Sequence, residues 1–280
     1  MGGWASMNQP PAMDGGVPHP NASPIPDARL AGRPLLLMFD VDGTLAPIMS
    51  HPSLARVPDE TRRIVASMVT KPGVTVVLVS GRAAHDARRV VGVERVWTIG
   101  NHGAEVMDPD GDVTVDPEVA RYAEPMATTA RTIAPLVAPL RGVVVENKGW
   151  TLSVHYRGAD EALLPRLRAA VDGVVMENGL RVTEGKKVLE IRPPVPVDKG
   201  TAVYRLARDL GGLAEGASLL FVGDDITDED AFRTLRAQHP NAVTVHVGSH
   251  ADTAAEFVLT DPEAVHDLLR RIARTLDSNR

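Results

Sequence analysis

At 280 residues, with no cysteine and a formal charge of −6, the chain can bury one large or two moderate cores and excludes disulfides and thiol catalysis. No apolar run reaches the ~18–20 residues that cross a bilayer, and no basic segment followed by an apolar one opens the chain. A cytoplasmic protein with no membrane partner is therefore expected. Acidic and basic residues are interspersed, which disfavours nucleic acid as a partner, and no obligate protein partner is evident.

Residues 1–33 are rich in Pro, Gly, Ala and Asn and read as a disordered N-terminal tail. From there strands and helices alternate: a strand at 35–39, a helix at 58–70, a strand at 74–79, a short helix at 83–91 and a strand at 96–99. This βαβαβ order implies a parallel sheet with right-handed crossovers. Pro109-Asp110-Gly111 marks a hairpin turn. The stretch 118–139 is mostly helical, 142–147 and 150–157 form a hairpin about Lys148-Gly149, and a helix at 161–171 precedes a second β pair ending near Arg192. That order describes a small α+β unit inserted in the α/β core. Pro193-Pro194-Val195-Pro196 is the stiff return. Helices at 201–210, 228–237 and 262–275 and strands at 219–222 and 243–247 complete the chain.

The run Leu35-Leu36-Leu37-Met38-Phe39 empties into Asp40-Val41-Asp42-Gly43-Thr44, and buried strands deliver their C-terminal ends to the ligand crevice of an open α/β sheet. Most Asp-x-Asp pairs are solvated turns, but a carboxylate leaving an apolar strand is costly unless paired or metal-bound. Asp40 is the expected nucleophile toward phosphorus and Asp42 the expected general acid. Gly43 permits the sharp turn that aims N–H groups at phosphate.

The second apolar run ends at Gly223-Asp224-Asp225-Ile226-Thr227-Asp228. Thr227 with Asp230 resembles a capping box, which accounts for the later acids and leaves Asp224 and Asp225 to be explained. Asp40, Asp224 and the Asp42 carbonyl are expected to hold Mg2+, with Asp225 and Asp228 in the outer shell. Ser80, at another strand end, offers a hydroxyl to phosphate, although a Ser-Gly turn alone is more often structural. Lys199 stands at a helix start, where its charge opposes the helix dipole, which favours a functional reason.

In the strand near 150–157, alternation puts Trp150, Leu152, Val154 and Tyr156 on one face and Thr151, Ser153, His155 and Arg157 on the other. Lys186, Val188 and Glu190 share a face by the same rule, and Glu146 and Lys148 are likewise two apart. A solvated sheet face is the bland alternative. Alternating donors and acceptors suit sugar hydroxyls better than a nucleotide base.

In chain order, Asp40-Val41-Asp42-Gly43-Thr44, Ser80, Lys199 and Gly223-Asp224-Asp225 with Asp228 resemble the four motifs of the haloacid dehalogenase-like phosphatases. A finer resemblance, over about 35–268, is to the trehalose-6-phosphate phosphatase family. Its carriers are Gly100-Asn101-His102-Gly103-Ala104-Glu105, Val145-Glu146-Asn147-Lys148, His155-Tyr156-Arg157, the stretch from Glu184 through Lys186 and Lys187 to Pro193, and Gly223 through Asp230.

The resemblance implies a Rossmann-like parallel-sheet catalytic core over 34–117 and 195–280, with an α+β cap over 118–194 that recognises substrate. It implies Mg2+-dependent hydrolysis of trehalose 6-phosphate through an aspartyl phosphate, the last step of trehalose biosynthesis. Arg82, Asn101, His102, Glu146, Lys148, His155, Arg157, Lys186 and Glu190 are the expected substrate contacts. His102 and His155 could equally be structural imidazoles, and the choice between Lys186 and Lys187 stays open. Another sugar-phosphate phosphatase, a phosphomutase and a catalytically silent sugar-phosphate sensor are the alternatives. A sensor, however, needs neither the nucleophile nor the acid.

Overall fold

The computed structural model describes residues 25–49, 51–185, 187–249 and 252–278. Lys186, one of the expected substrate contacts, lies outside them, as does most of the N-terminal tail. In chain order the first elements are β1 (Leu35–Asp40), α1 (Asp59–Val69), β2 (Val74–Val79), α2 (Ala84–Val91), β3 (Trp97–Gly100), β4 (Glu105–Met107) and β5 (Val113–Val115). A middle group follows: α3 (Pro117–Ala120), α4 (Ala123–Val137), β6 (Val144–Asn147), β7 (Leu152–His155), α5 (Leu164–Glu177), β8 (Arg181–Gly185) and β9 (Val188–Arg192). The last are α6 (Lys199–Asp209), β10 (Ser218–Gly223), α7 (Ile226–Gln238), β11 (Val243–Val247), β12 (Phe257–Leu259) and α8 (Pro262–Ser278).

The larger sheet runs β12-β11-β10-β1-β2-β3-β4-β5, parallel except for the hairpin strands β4 and β5. Helices cover both faces. Leu35, Leu37 and Phe39 pack with residues of α1, α2 and α8, while Leu36 and Met38 pack with α6 and α7. Both faces of β1 are thus buried, which is why its sequence is apolar without alternation. The expected Rossmann-like α/β class is the one observed.

Two differences from the sequence reading concern the edges. Residues 25–33 are not part of an irregular tail. Ile25 and Leu30 are buried in the core, Asp27–Leu30 forms a 3-10 turn, and Arg29 pairs with Glu256 at 2.9 Å. The short strand β12, three residues with no alternating pattern of their own, is the second, and the sequence pattern does not predict it.

The second sheet is antiparallel, with order β6-β7-β9-β8. Leu152 and Val154 of β7 and Leu189 and Ile191 of β9 pack against α4 and α5 through Met126, Ile133, Leu167 and Val171. The alternate residues, among them Ser153 and Glu190, which pair in register, face the other way. This is the half-apolar, half-polar pattern expected of an antiparallel sheet with helices on one face.

Candidate active site

Register brings the strand ends together. Phe39 pairs with Val222 on one side and Asp40 with Val79 on the other, so Asp40, Ser80 and Asp224 emerge at one edge of the sheet. β1 lies where the strand order turns from β2 on one side to β10 on the other, the position at which open α/β sheets leave a crevice. Gly43, at φ 96°, keeps this edge open: a Cβ there would run into the Asp224 carboxylate.

Lys199 is the first residue of α6, whose cap is a reciprocal pair: Thr201 N donates to Asp198 Oδ1 (2.7 Å) and Asp198 N to Thr201 Oγ1 (3.1 Å). Its ammonium donates to Asp40 Oδ1 at 2.7 Å and to Asp228 Oδ1 at 2.8 Å, with all three side chains buried. Burial works against the Lys199 charge, yet Asp228 and Asp40 outweigh it and hold the group well above its ordinary range. Burial, with Asp228 adding to it, pushes Asp40 well up despite Lys199. A crowded anionic site is the result.

Carboxylate oxygens of Asp40, Asp224 and Asp228 lie within 4.8 Å of one another. Asp228, expected in an outer position, therefore joins the cluster. The capping box is also displaced from its expected residues. Asp225, not Thr227, is the N-cap of α7, accepting from Thr227 N (2.8 Å) and Asp228 N (3.1 Å), and Asp228 Oδ2 accepts from Asp225 N (3.1 Å). Although burial opposes its charge, Lys199 and these bonds draw Asp225 down to about 2.

Asp42 has a different partner. Arg82 Nε donates to Asp42 Oδ2 at 2.6 Å and Arg82 Nη2 to Asp42 Oδ1 at 2.7 Å. The same guanidinium donates to Asp86 Oδ2 (2.8 Å) and to the Pro52 carbonyl (2.9 Å). The Asp42 carboxylate is thus outside the acidic cluster. Arg82, expected to hold substrate, is committed to protein partners. Ser80 is buried, and its hydroxyl accepts from Arg82 N at 3.1 Å.

Facing this floor across a cavity of about 1300 Å³ is the polar side of the second sheet. Glu146, Lys148, His155, Arg157 and Glu190 line the cavity, as do Asp40, Asp42, Ser80, Arg82, His102, Lys199, Asp224 and Asp225. His155 Nε2 lies 2.9 Å from Glu146 Oε2. Burial raises the Glu146 carboxyl, and the His155 bond and Lys148 more than reverse that. Glu190 accepts from Ser153 Oγ at 2.9 Å and sits 3.6 Å from Lys148 Nζ. Lys148 Nζ also donates to the Gly81 carbonyl (3.0 Å), and Arg157 Nη1 to the Met49 carbonyl (2.7 Å), so both reach across to the larger sheet.

Asn101 is not with them. It is buried, donates to Glu105 Oε1 (2.9 Å) and to the Lys148 carbonyl (3.2 Å), and accepts from Thr151 Oγ1 (2.6 Å). It joins the two sheets rather than facing the cavity, contrary to its expected place among substrate contacts. Its neighbour His102 does line the cavity, with no hydrogen-bond partner on either ring nitrogen. Gly81 makes room for that ring, since a Cβ there would collide with it. Sequence reasoning missed Arg192 and Asp198, which also line the cavity. Arg192 had a signal, because it lies two residues past Glu190 on the same strand face.

Comparison with known proteins adds to this picture. Residues 38–263 match the family model described as trehalose-phosphatase. A probable trehalose-phosphate phosphatase of Oryza sativa subsp. japonica is 35% identical over 273 residues, covering 88% of this chain and 71% of the relative. An uncharacterised glycosyl hydrolase of Mycobacterium tuberculosis is 34% identical over 249 residues, covering 87% of the chain. The chain spans only 18% of that relative's length. Among solved structures, the C-terminal domain of a Candida albicans trehalose-6-phosphate phosphatase is 25% identical with a TM-score of 0.70, covering 85% of this chain and 91% of that one.

Proposed function

The chain belongs to the trehalose-phosphatase family, and on that premise we propose that it hydrolyses trehalose 6-phosphate to trehalose and phosphate. The reaction is Mg2+-dependent, passes through an aspartyl phosphate on Asp40 and serves as the last step of trehalose biosynthesis in the cytoplasm. One observation carries the reading: a nucleophile bonded to a buried lysine at 2.7 Å lies on the floor of a cavity whose opposite wall alternates Glu and Lys.

The acidic cluster fits Mg2+, a hard cation that takes carboxylate oxygens together with water and substrate phosphate. Burial and neighbouring carboxylates disfavour charge on Asp40, and a divalent cation relieves that crowding. When bound, Mg2+ offsets negative charge on the transferring phosphoryl group. Asp40 attacks phosphorus in line. Asp42 gives its proton to the leaving sugar oxygen and afterwards takes one from the attacking water. Lys199 and Ser80 stabilise the phosphoryl oxygens. Residues 118–194 act as a cap: Glu146, Lys148, His155, Arg157 and Glu190 hold sugar hydroxyls, with His102 beside them. Closure of this cap excludes bulk water during transfer.

The test is phosphate release from trehalose 6-phosphate with and without Mg2+, beside sucrose 6-phosphate, glucose 6-phosphate and an Asp40→Asn control. The expected outcome is metal-dependent selectivity for the trehalose ester, with turnover down at least ~10³-fold in the control. Comparable release from every ester would remove the substrate assignment and keep the phosphatase. Binding without release would leave a sensor.

A further inference from the structure

Arg82 sits behind the proposed acid, not in front of it. Its side chain is 8% exposed, against 38% for that of Asp42, so the carboxylate faces the cavity while the guanidinium backs it. Asp86, at the start of α2, accepts from Nη1, and the Pro52 carbonyl, in the loop after β1, accepts from Nη2. The remaining edge of the fork presents Nε and Nη2 in parallel to the two oxygens of Asp42. Burial disfavours the Arg82 charge, but the bonds to Asp42 and Asp86 outweigh it and raise its hold on the proton.

We infer that Arg82 is a positioning residue for proton transfer: it grips the Asp42 carboxylate at two points between turnovers, and one of those bonds holds the carboxyl in place while the other oxygen carries the proton to the leaving oxygen of the substrate. The inference rests on the role assigned to Asp42 above. A general acid acts only within hydrogen-bond reach and in the right orientation, and a lone carboxylate on a turn rotates freely about its last bond. An arginine clamped by Asp86 and Pro52 removes that freedom, which a lysine, offering a point charge, does not.

In the step concerned, the bond from Asp40 to phosphorus forms as the bond from phosphorus to the sugar oxygen breaks. The proton passes from Asp42 to that oxygen and leaves a carboxylate. One Asp42 oxygen exchanges its Arg82 bond for the leaving oxygen during the transfer. Afterwards the carboxylate regains the paired arrangement seen here, oriented for the incoming water.

The experiment measures kcat/KM, which reads formation of the aspartyl phosphate, for trehalose 6-phosphate and a series of aryl phosphates of graded leaving-group acidity. Wild type, Arg82→Lys and Asp42→Asn are compared. Arg82→Lys is expected to lose ~10-fold or more on the trehalose ester and on poor aryl leaving groups, and less than ~2-fold on 4-nitrophenyl phosphate, which needs no proton. Its retained activity on that ester also certifies the fold. Asp42→Asn should steepen the same dependence further.

A raised KM for the trehalose ester with unchanged leaving-group dependence would make Arg82 a substrate contact and overturn the proposal. An equal loss on all esters would make it mere support, with the same consequence. If Asp42→Asn steepens the dependence and Arg82→Lys does not, only the positioning role falls. If Asp42→Asn leaves it unchanged, the acid itself is misassigned.

Discussion

The two sheets use the same strand geometry and carry their polar groups in different places. In the larger sheet every residue of β1 but its last is apolar and buried, helices cover both faces, and the acidic groups of the site emerge where strands end. In the smaller sheet helices cover one face, and polar groups run along the other, as Ser153 of β7 and Glu190 of β9 do. A site at strand ends concentrates few groups at fixed positions, as Lys199 holds Asp40 and Arg82 holds Asp42. A site along a face spreads its groups over several strands, with partners that a ligand can replace. The first arrangement suits bond making and the second suits recognition of many hydroxyls.

Removing one member from each region sharpens the contrast. Lys199→Ala leaves Asp40 and Asp228 buried without their cation. It is expected to cost about 3–5 kcal/mol in urea unfolding, together with the activity. Unchanged stability would mean that the floor is held by something other than this charge balance. Glu146→Ala takes a half-buried group off the face and leaves His155 free to meet water. Its expected effect is a ~10–100-fold loss of kcat/KM on trehalose 6-phosphate, with 4-nitrophenyl phosphate within ~2-fold. Equal losses on both esters would erase the division of labour between the two sheets.

The smallest effect lies at the seam, in acid. Burial, reinforced by Arg192, Lys148 and Lys199, holds His102 well below its ordinary range, so the folded protein keeps it neutral. The unfolded chain takes up a proton there below about pH 6.5. Stability from the neutral ring is present above that pH and is lost as pH falls below it. His102→Gln should therefore flatten the decline in Tm between about pH 7 and pH 5 relative to wild type. A parallel decline in both proteins would place the acid sensitivity elsewhere.

The sequence made strand ends legible because burial on both faces leaves an apolar run with an abrupt polar stop, as at Phe39 to Asp40. Face alternation was legible for the same reason: Leu152 and Val154 are buried in the core beneath the second sheet. Side-chain partnerships were not. The Arg82 to Asp42 pair and the Asn101 to Thr151 bond join segments far apart in the chain, and spacing says nothing about such contacts. Asp225 is a different case. Asp225-Ile226-Thr227-Asp228 and Thr227 with Asp230 both have the spacing of a cap, and the local pattern does not choose between them. Once the cap lies one residue pair earlier, Asp228 turns inward to Lys199, which explains its place in the acidic cluster.

The parallel pairing of β1 with β10 has a consequence for folding kinetics. Between those strands the chain makes the whole of the second sheet with its helices, whose contacts are local by comparison. Closing so long a loop costs entropy before the pairing rewards it, and pairings of this kind are slow to form. Asp40 and Asp224 become neighbours only once β10 has docked beside β1. A signal that needs both carboxylates, such as capture of a luminescent trivalent ion, would thus time the completion of the sheet rather than the collapse that precedes it.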